Sequence, residues 1–477
     1  MGKDLFDRRT VLAGTTVLGA AGMLRGRALA QAAGPATAAR PAASLPPRGD
    51  FVVRGAHVLS MDESVGDFAS GDVHVRDGEI VGIGASVNAS GAEVIDGKNM
   101  ICMPGFVDTH WHHWTTLLRP LMRQDDASLT YFPVTAKYGV LYTPQDSYRS
   151  VRLGLAQALA AGITTTQNWA HNVRSPAHAD AEMSAMRDTG IRGRFAYGNP
   201  VRDPNDKPMD LADLARAKRD WVTKGGMLTL AICSRSVDGA NSATRGGISV
   251  EMAKKEWGAA RELGLPITLH TSGTGGIKIL DEAGLLGSDV QLVHPLGTTE
   301  EDRAILAKNQ VSYSTSPVGE ARRPGVTQLA EMLSAGVNMS LSIDHTTTFD
   351  ADMFKNMGIL FSLNMHRLGD KSKLTTRRLV QLATIDGALD LGVGNQTGSL
   401  TPGKRADLIL IRANAPNLAP IGDPYDALVQ LAQPSNIDTV VVDGRILRRA
   451  GQFTGLDFEA VAGEAVEAAS ALKARAA

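Results

Sequence analysis

The sequence predicts an α/β fold: a (β/α)8 TIM-type barrel with a small β-sandwich domain formed by both chain ends. Three observations lead there. Eight short runs of strand character alternate with helical stretches through roughly residues 104–398. Strand and hairpin patterns flank that region, at Phe51–Cys102 on one side and at Leu408–Arg412 and Thr439–Arg448 on the other. Histidine and aspartate recur at the ends of the apolar runs, the rim where a parallel barrel gathers its chemistry.

In chain order, residues 1–30 carry three features of a twin-arginine-type signal peptide: Arg8-Arg9, the moderately apolar run Val11–Leu24, and Ala28-Leu29-Ala30 as an Ala-x-Ala cleavage site. The run is too short and too weakly apolar for a stable membrane span. The expected location is therefore the periplasm, with the twin-arginine export machinery as a partner. Residues 31–49, rich in Ala and Pro, read as linker. The first part of the β-sandwich occupies 50–103. Phe51–Leu59 and Val73–Arg76 alternate like strands, and Asp77-Gly78-Glu79 turns the chain into Ile80–Ile83. The second part occupies 399–452, with Val440–Leu447 as another hairpin around Asp443-Gly444. Residues 453–477 form a C-terminal amphipathic helix, from Phe458 onward, that suits packing or assembly, and a homo-oligomer is expected.

The barrel strands are read at Phe106–His110, Ile163–Asn168, Arg194–Gly198, Leu228–Cys233, Ile267–His270, Val290–His294, Val311–Thr315 and Asn338–Asp344. Helices such as Gln145–Ala160 and Ser249–Leu263 lie between them, each followed by a glycine. A doubly wound open sheet is the alternative if strands are miscounted.

Composition narrows the function. The chain has 477 residues, 43% of them hydrophobic, and Lys+Arg 49 against Asp+Glu 50 leaves a net charge of -1. No basic stripe is present, so nucleic acid is not an expected partner. The two cysteines, Cys102 and Cys233, make no disulfide framework.

The chemistry-bearing stretch is Met103–Trp114, which reads MPGFVDTHWHHW. Residues two apart on a strand face the same way, so His110 and His112 aim together and His113 points away. His270 ends the fifth barrel strand, His294 the sixth and Asp344 the eighth. His110, His112, His270 and Asp344 thus supply three imidazoles and a carboxylate for one divalent metal ion, Zn or Fe, with a position left for water. Trp114, His171, Arg174 and His345 are the candidate substrate-binding residues. The Arg119–Pro144 segment, with Tyr131, Phe132 and Tyr138, is expected to cap a site for a small cyclic or aromatic molecule.

These motifs resemble the amidohydrolase superfamily, in the branch of cytosine deaminase and the triazine hydrolases. The likeness runs through Gly71–Ile80, Met103–His112 and the return segment Gly398–Leu408. It implies hydrolysis of a C–N bond by metal-activated water, with Asp344 both ligand and proton acceptor. It also implies that His294 orients the nucleophile or, as a neutral imidazole, stabilises negative charge on the substrate. No Lys ends the fourth strand, at Ala231–Arg235, which favours one metal over a bridged pair. One departure stands out: deaminases of this branch carry Glu three residues after the fifth-strand His, and here that residue is Gly273. Glu320 is a candidate replacement, although a solvated loop carboxylate is the plainer expectation. The departure keeps dechlorination, ester cleavage and a lyase or decarboxylase step open. A non-catalytic assembly module is the reading from another class.

Overall fold

The computed structural model describes residues 45–237, 247–271, 275–294, 296–369 and 374–477. The signal segment, most of the linker and Gly273 lie outside the described residues. Among the described residues, seventeen strands form two sheets. Five precede the barrel: β1 (Asp50–Val58), β2 (Phe68–Arg76), β3 (Glu79–Gly84), β4 (Glu93–Asp96) and β5 (Met100–Pro104). Eight build it: β6 (Phe106–Trp111), β7 (Ile163–Ala170), β8 (Arg192–Tyr197), β9 (Leu228–Cys233), β10 (Ile267–His270), β11 (Val290–Val293), β12 (Ser312–Thr315) and β13 (Asn338–Leu341). Four follow: β14 (Leu408–Arg412), β15 (Ile437–Val442), β16 (Arg445–Arg449) and β17 (Gln452–Phe453).

The first five and last four strands share one nine-stranded sheet, joined where β5 pairs antiparallel with β14. Alternation along these strands divides the apolar residues. Cys102, Leu408, Leu410 and Val441 enter the sheet's own cluster with Phe51, Val53 and Val73. Their neighbours Ile101, Met103, Ile409, Ile411 and Val440 join the barrel's core. Contact is close enough that a Cβ on Gly162, which has φ +77°, would lie 3.0 Å from Ile437 Cδ1. The hairpin turns predicted at Asp77-Gly78 and Asp443-Gly444 both have positive φ at both residues, as tight hairpins require.

The eight barrel strands run parallel from β6 to β13, each beside its chain neighbour. Closure between β6 and β13 comes from backbone just beyond the last strand. His112 N–H donates to Asp344 O at 2.7 Å, and Asp344 N–H donates to His110 O at 2.9 Å. The helix Pro144–Ala160 begins with a reciprocal Thr143–Asp146 cap and Pro at its first position. The terminal helix Phe458–Arg475 buries Val461, Ala465 and Leu472, and its Arg475 and Glu464 pair with Asp146 and Arg152 of Pro144–Ala160. No helix among the described residues is long and apolar enough to cross a membrane.

Candidate active site

Local sequence brings four donors to one point. β6 delivers His110 and, just past its end, His112; His270 is the last residue of β10; Asp344 lies beyond β13 in the closing seam. Asp108 fixes the relation between the two ends. Its carboxylate accepts Ile343 N–H at 2.8 Å and the Thr166 hydroxyl at 2.6 Å. His294 and Asp344 hold φ at +69° and +71°, a left-handed backbone uncommon for residues with a Cβ and concentrated at functional sites.

His110 Nε2 lies 3.3 Å from His270 Nε2 and 3.6 Å from Asp344 Oδ1, and His112 Nε2 lies 3.5 Å from the same oxygen. Tetrahedral donors about 2.1 Å from a zinc ion are spaced about 3.4 Å apart, so these separations fit one such ion. The ligand nitrogens of His110, His112 and His270 all fall within 4.8 Å of one another, as do donor atoms of His110, His294 and Asp344. Burial, with help from the neighbouring imidazoles, lowers the pKa of His112 and His270 well below the usual range. Burial also brings His110 to about 4, against the pull of Asp344. These rings are therefore neutral, the form in which imidazole binds a metal ion. Burial alone would raise the Asp344 carboxyl, but His345, His110 and His294 together hold it well below the usual carboxylate range.

His112, His270 and Asp344, with His294, line a cavity of about 630 Å3. Tyr131 and Phe132 of the predicted cap line it, opposite Trp169, Asn199 and Arg235. Tyr138 instead packs among Trp114, Leu118 and Tyr142. His171 and His345 reach the cavity; Trp114 and Arg174 do not line it. Trp114 is fully buried and supports His171 from behind, donating its indole N–H to Nδ1 at 3.2 Å. His171 Nδ1 also lies 3.2 Å from Trp169 O. Arg174 is exposed on the loop after β7, because that loop turns outward into the helix Pro176–Thr189. His345 stacks on Tyr131, with ring centres 4.6 Å apart. Trp169 stands edge-on to His270 at 4.0 Å, a contact that its place in an apolar strand did not announce.

One expectation changes. Glu320 is no solvated loop carboxylate. It lies buried in the short helix Pro317–Glu320 and bonds to His294 Nδ1 at 3.0 Å. A carboxylate only accepts, so this bond places a proton on Nδ1 of His294. With Nδ1 protonated, a neutral His294 accepts an O–H from water at Nε2, which suits the water-orienting role of the two.

Comparison with known proteins shows the family of this chain. The model for the Amidohydrolase family matches residues 101–447. The 5'-deoxyadenosine deaminase of Methanosarcina mazei is 30% identical over 449 residues, covering 89% of this chain and 99% of that protein. The 5-methylthioadenosine/S-adenosylhomocysteine deaminase of Symbiobacterium thermophilum is 31% identical over 426 residues, covering 83% and 93%. Among solved structures, a zinc-bound adenosine deaminase from Xanthomonas campestris superposes with a TM-score of 0.77 at 20% identity, over 90% of this chain and all (100%) of that one. The zinc complex of atrazine chlorohydrolase from Arthrobacter aurescens gives 0.74 at 19% identity, over 88% and 100%.

Proposed function

The chain belongs to the amidohydrolase family and is a metal-dependent hydrolase of carbon–nitrogen bonds in small cyclic compounds; from that premise we propose that it removes an exocyclic amine from a flat, nitrogen-containing aromatic ring. The observation that carries this reading is the convergence of His110, His112, His270 and Asp344 on one point of a cavity walled by Tyr131, Phe132 and Trp169.

His110, His112, His270 and Asp344 would hold the divalent ion, whose Lewis acidity brings the pKa of water toward neutrality and polarises the bond to be cleaved. The free oxygen of the Asp344 carboxylate accepts a proton from the attacking water. Nε2 of His294 accepts the other O–H and aims the oxygen at the ring carbon. Tyr131 and Trp169 present aromatic surface to the ring. A second reading, loss of halide or alkoxide, has one observation in its favour: with Gly at 273, no carboxylate stands there to protonate a departing amine.

The test offers zinc- or iron-loaded protein 5'-deoxyadenosine, 5'-methylthioadenosine, an aminotriazine, its chloro analogue and an aryl ester. Ammonia release is expected, and it should vanish together with bound metal in His270→Ala. Release of chloride or alcohol alone overturns the C–N assignment. We further propose that residues 1–30 direct export of the folded chain through the twin-arginine machinery to the periplasm, where it self-associates. Arg8→Lys with Arg9→Lys should leave the protein in the cytoplasm, and sedimentation of the periplasmic form should exceed that of a monomer. Normal periplasmic yield, or a monomeric coefficient, refutes the corresponding part.

A further inference from the structure

We propose that Glu320 is a positioning residue of the hydrolytic reaction: it holds His294 in the one tautomer and orientation that lets Nε2 aim the attacking water. The proposal rests on the C–N hydrolase reading above. It starts from how completely the Glu320 carboxylate is engaged. Oε1 accepts His294 Nδ1–H at 3.0 Å and Ser316 N–H at 2.8 Å. Oε2 accepts the hydroxyls of Thr315 at 2.6 Å and Thr327 at 2.8 Å. Burial alone would raise its pKa, but His294 and these donors lower it below the usual carboxylate value.

A buried carboxylate costs several kcal/mol of desolvation, and an apolar side chain of similar volume would satisfy packing at least as well. The four donors explain how the charge is tolerated. What it contributes is directional. Thr315 and Thr327 lock the carboxylate plane, and the carboxylate then fixes both the proton position and the rotation of His294. The ring is constrained elsewhere too. It lies parallel to His270, with centroids 5.3 Å apart and planes 5° apart, and its backbone N–H is tied to Ser314 O at 2.9 Å. The strained φ of residue 294 is sustained by these restraints.

The need for such aim follows from the cavity's other carboxylates. Among the described residues only Asp203 and Asp344 line it, and Asp203 is engaged by Lys207 at 3.2 Å and Asn199 at 3.3 Å. We assign both proton steps to Asp344, the carboxylate beside the metal donors. One O–H bond of water breaks, its proton passes to Asp344, and the oxygen forms the new C–O bond. The C–N bond then breaks with its electron pair staying on nitrogen, and Asp344 returns the proton to that nitrogen. His294 accepts a hydrogen bond at Nε2 that holds the oxygen in line. Its positioning by a buried acceptor resembles the way outer-shell carboxylates orient imidazoles at metal sites, where their loss costs about 10- to 100-fold.

The experiment compares wild type, Glu320→Gln and Glu320→Leu, all zinc-loaded. The amide oxygen of Gln still accepts from Nδ1–H, so kcat should stay within roughly 10-fold of wild type; Leu removes the acceptor, and kcat should fall roughly 10- to 100-fold with KM and bound zinc little changed. Proton positions are read directly by 15N spectroscopy of histidine-labelled protein: Nδ1–H for His294 in wild type and Gln, and loss of that state in Leu. A proton on Nε2 in wild type, or unchanged kcat in the Leu variant, overturns the proposal. The wild-type spectrum decides even if the Leu variant fails to fold. It also separates the two readings, since a protein with Nδ1–H at His294 but no C–N hydrolysis would sink the assigned reaction alone.

Discussion

Replacing Arg192 with Met should destabilise the protein by about 3–5 kcal/mol without emptying the metal site. Arg192 opens β8 and Asp407 immediately precedes β14, so the pair spans from the barrel to the outer sheet. Nε donates to Asp407 Oδ2 at 2.5 Å and Nη2 to Oδ1 at 3.3 Å, and each side chain is at most 2% exposed. Asp407 Oδ1 also accepts Asp443 N–H at 2.7 Å, and Asp407 O accepts Gly105 N–H at 3.1 Å, just before β6. Met matches the length of the Arg stem but leaves the carboxylate buried with one hydrogen bond and no counter-charge. Breaking a buried pair from one side is the costly case. Removing both charges, in Arg192→Met with Asp407→Leu, leaves only the Asp443 N–H orphaned, at about 1–3 kcal/mol. The double variant should therefore be more stable than Arg192→Met alone. Urea unfolding at a fixed saturating zinc concentration measures this, since bound ligand itself shifts the midpoint. A loss below about 1 kcal/mol for Arg192→Met, or a double variant less stable than the single, would show that solvent or relaxation already screens the pair.

A pH dependence follows from Glu182. Burial pushes its carboxyl up to about 8, against a hydrogen bond from Asn168 at 2.9 Å. Between its ordinary value near 4.5 and about 8, the folded chain keeps a proton that the unfolded chain has released. Stability from this group is thus present in full at low pH and declines as pH rises through that window. Glu182→Gln should flatten the decline and leave the variant more stable than wild type at pH 9, read as urea midpoints; parallel curves would refute it.

Much of the site is legible in the sequence because strand periodicity and barrel polarity do the work. A histidine that ends an apolar run must reach the same rim as every other such residue, and His110, His112, His270, His294 and Asp344 obey that rule. The failures have physical causes. Arg174 follows its strand by four residues, far enough for a loop to carry it outward. Glu320 reads as a loop acid because nothing local reveals that Thr315, Ser316 and Thr327 will surround it. The left-handed backbone at His294 and Asp344 is invisible, since glycine normally marks such positions and neither residue is glycine. The outer sheet was recognisable from its hairpins at both chain ends, whereas β4 and β17, with four and two residues, are too short to show a period.

The seam that shuts the barrel is made of the same residues that face the ion. Backbone bonds between the His110–His112 stretch and Asp344 zip the cylinder at the spot where those side chains converge. Cylinder and cation pocket therefore share one closure, the meeting of a segment near residue 110 with one more than two hundred positions downstream. A growing chain short of Asp344 owns neither.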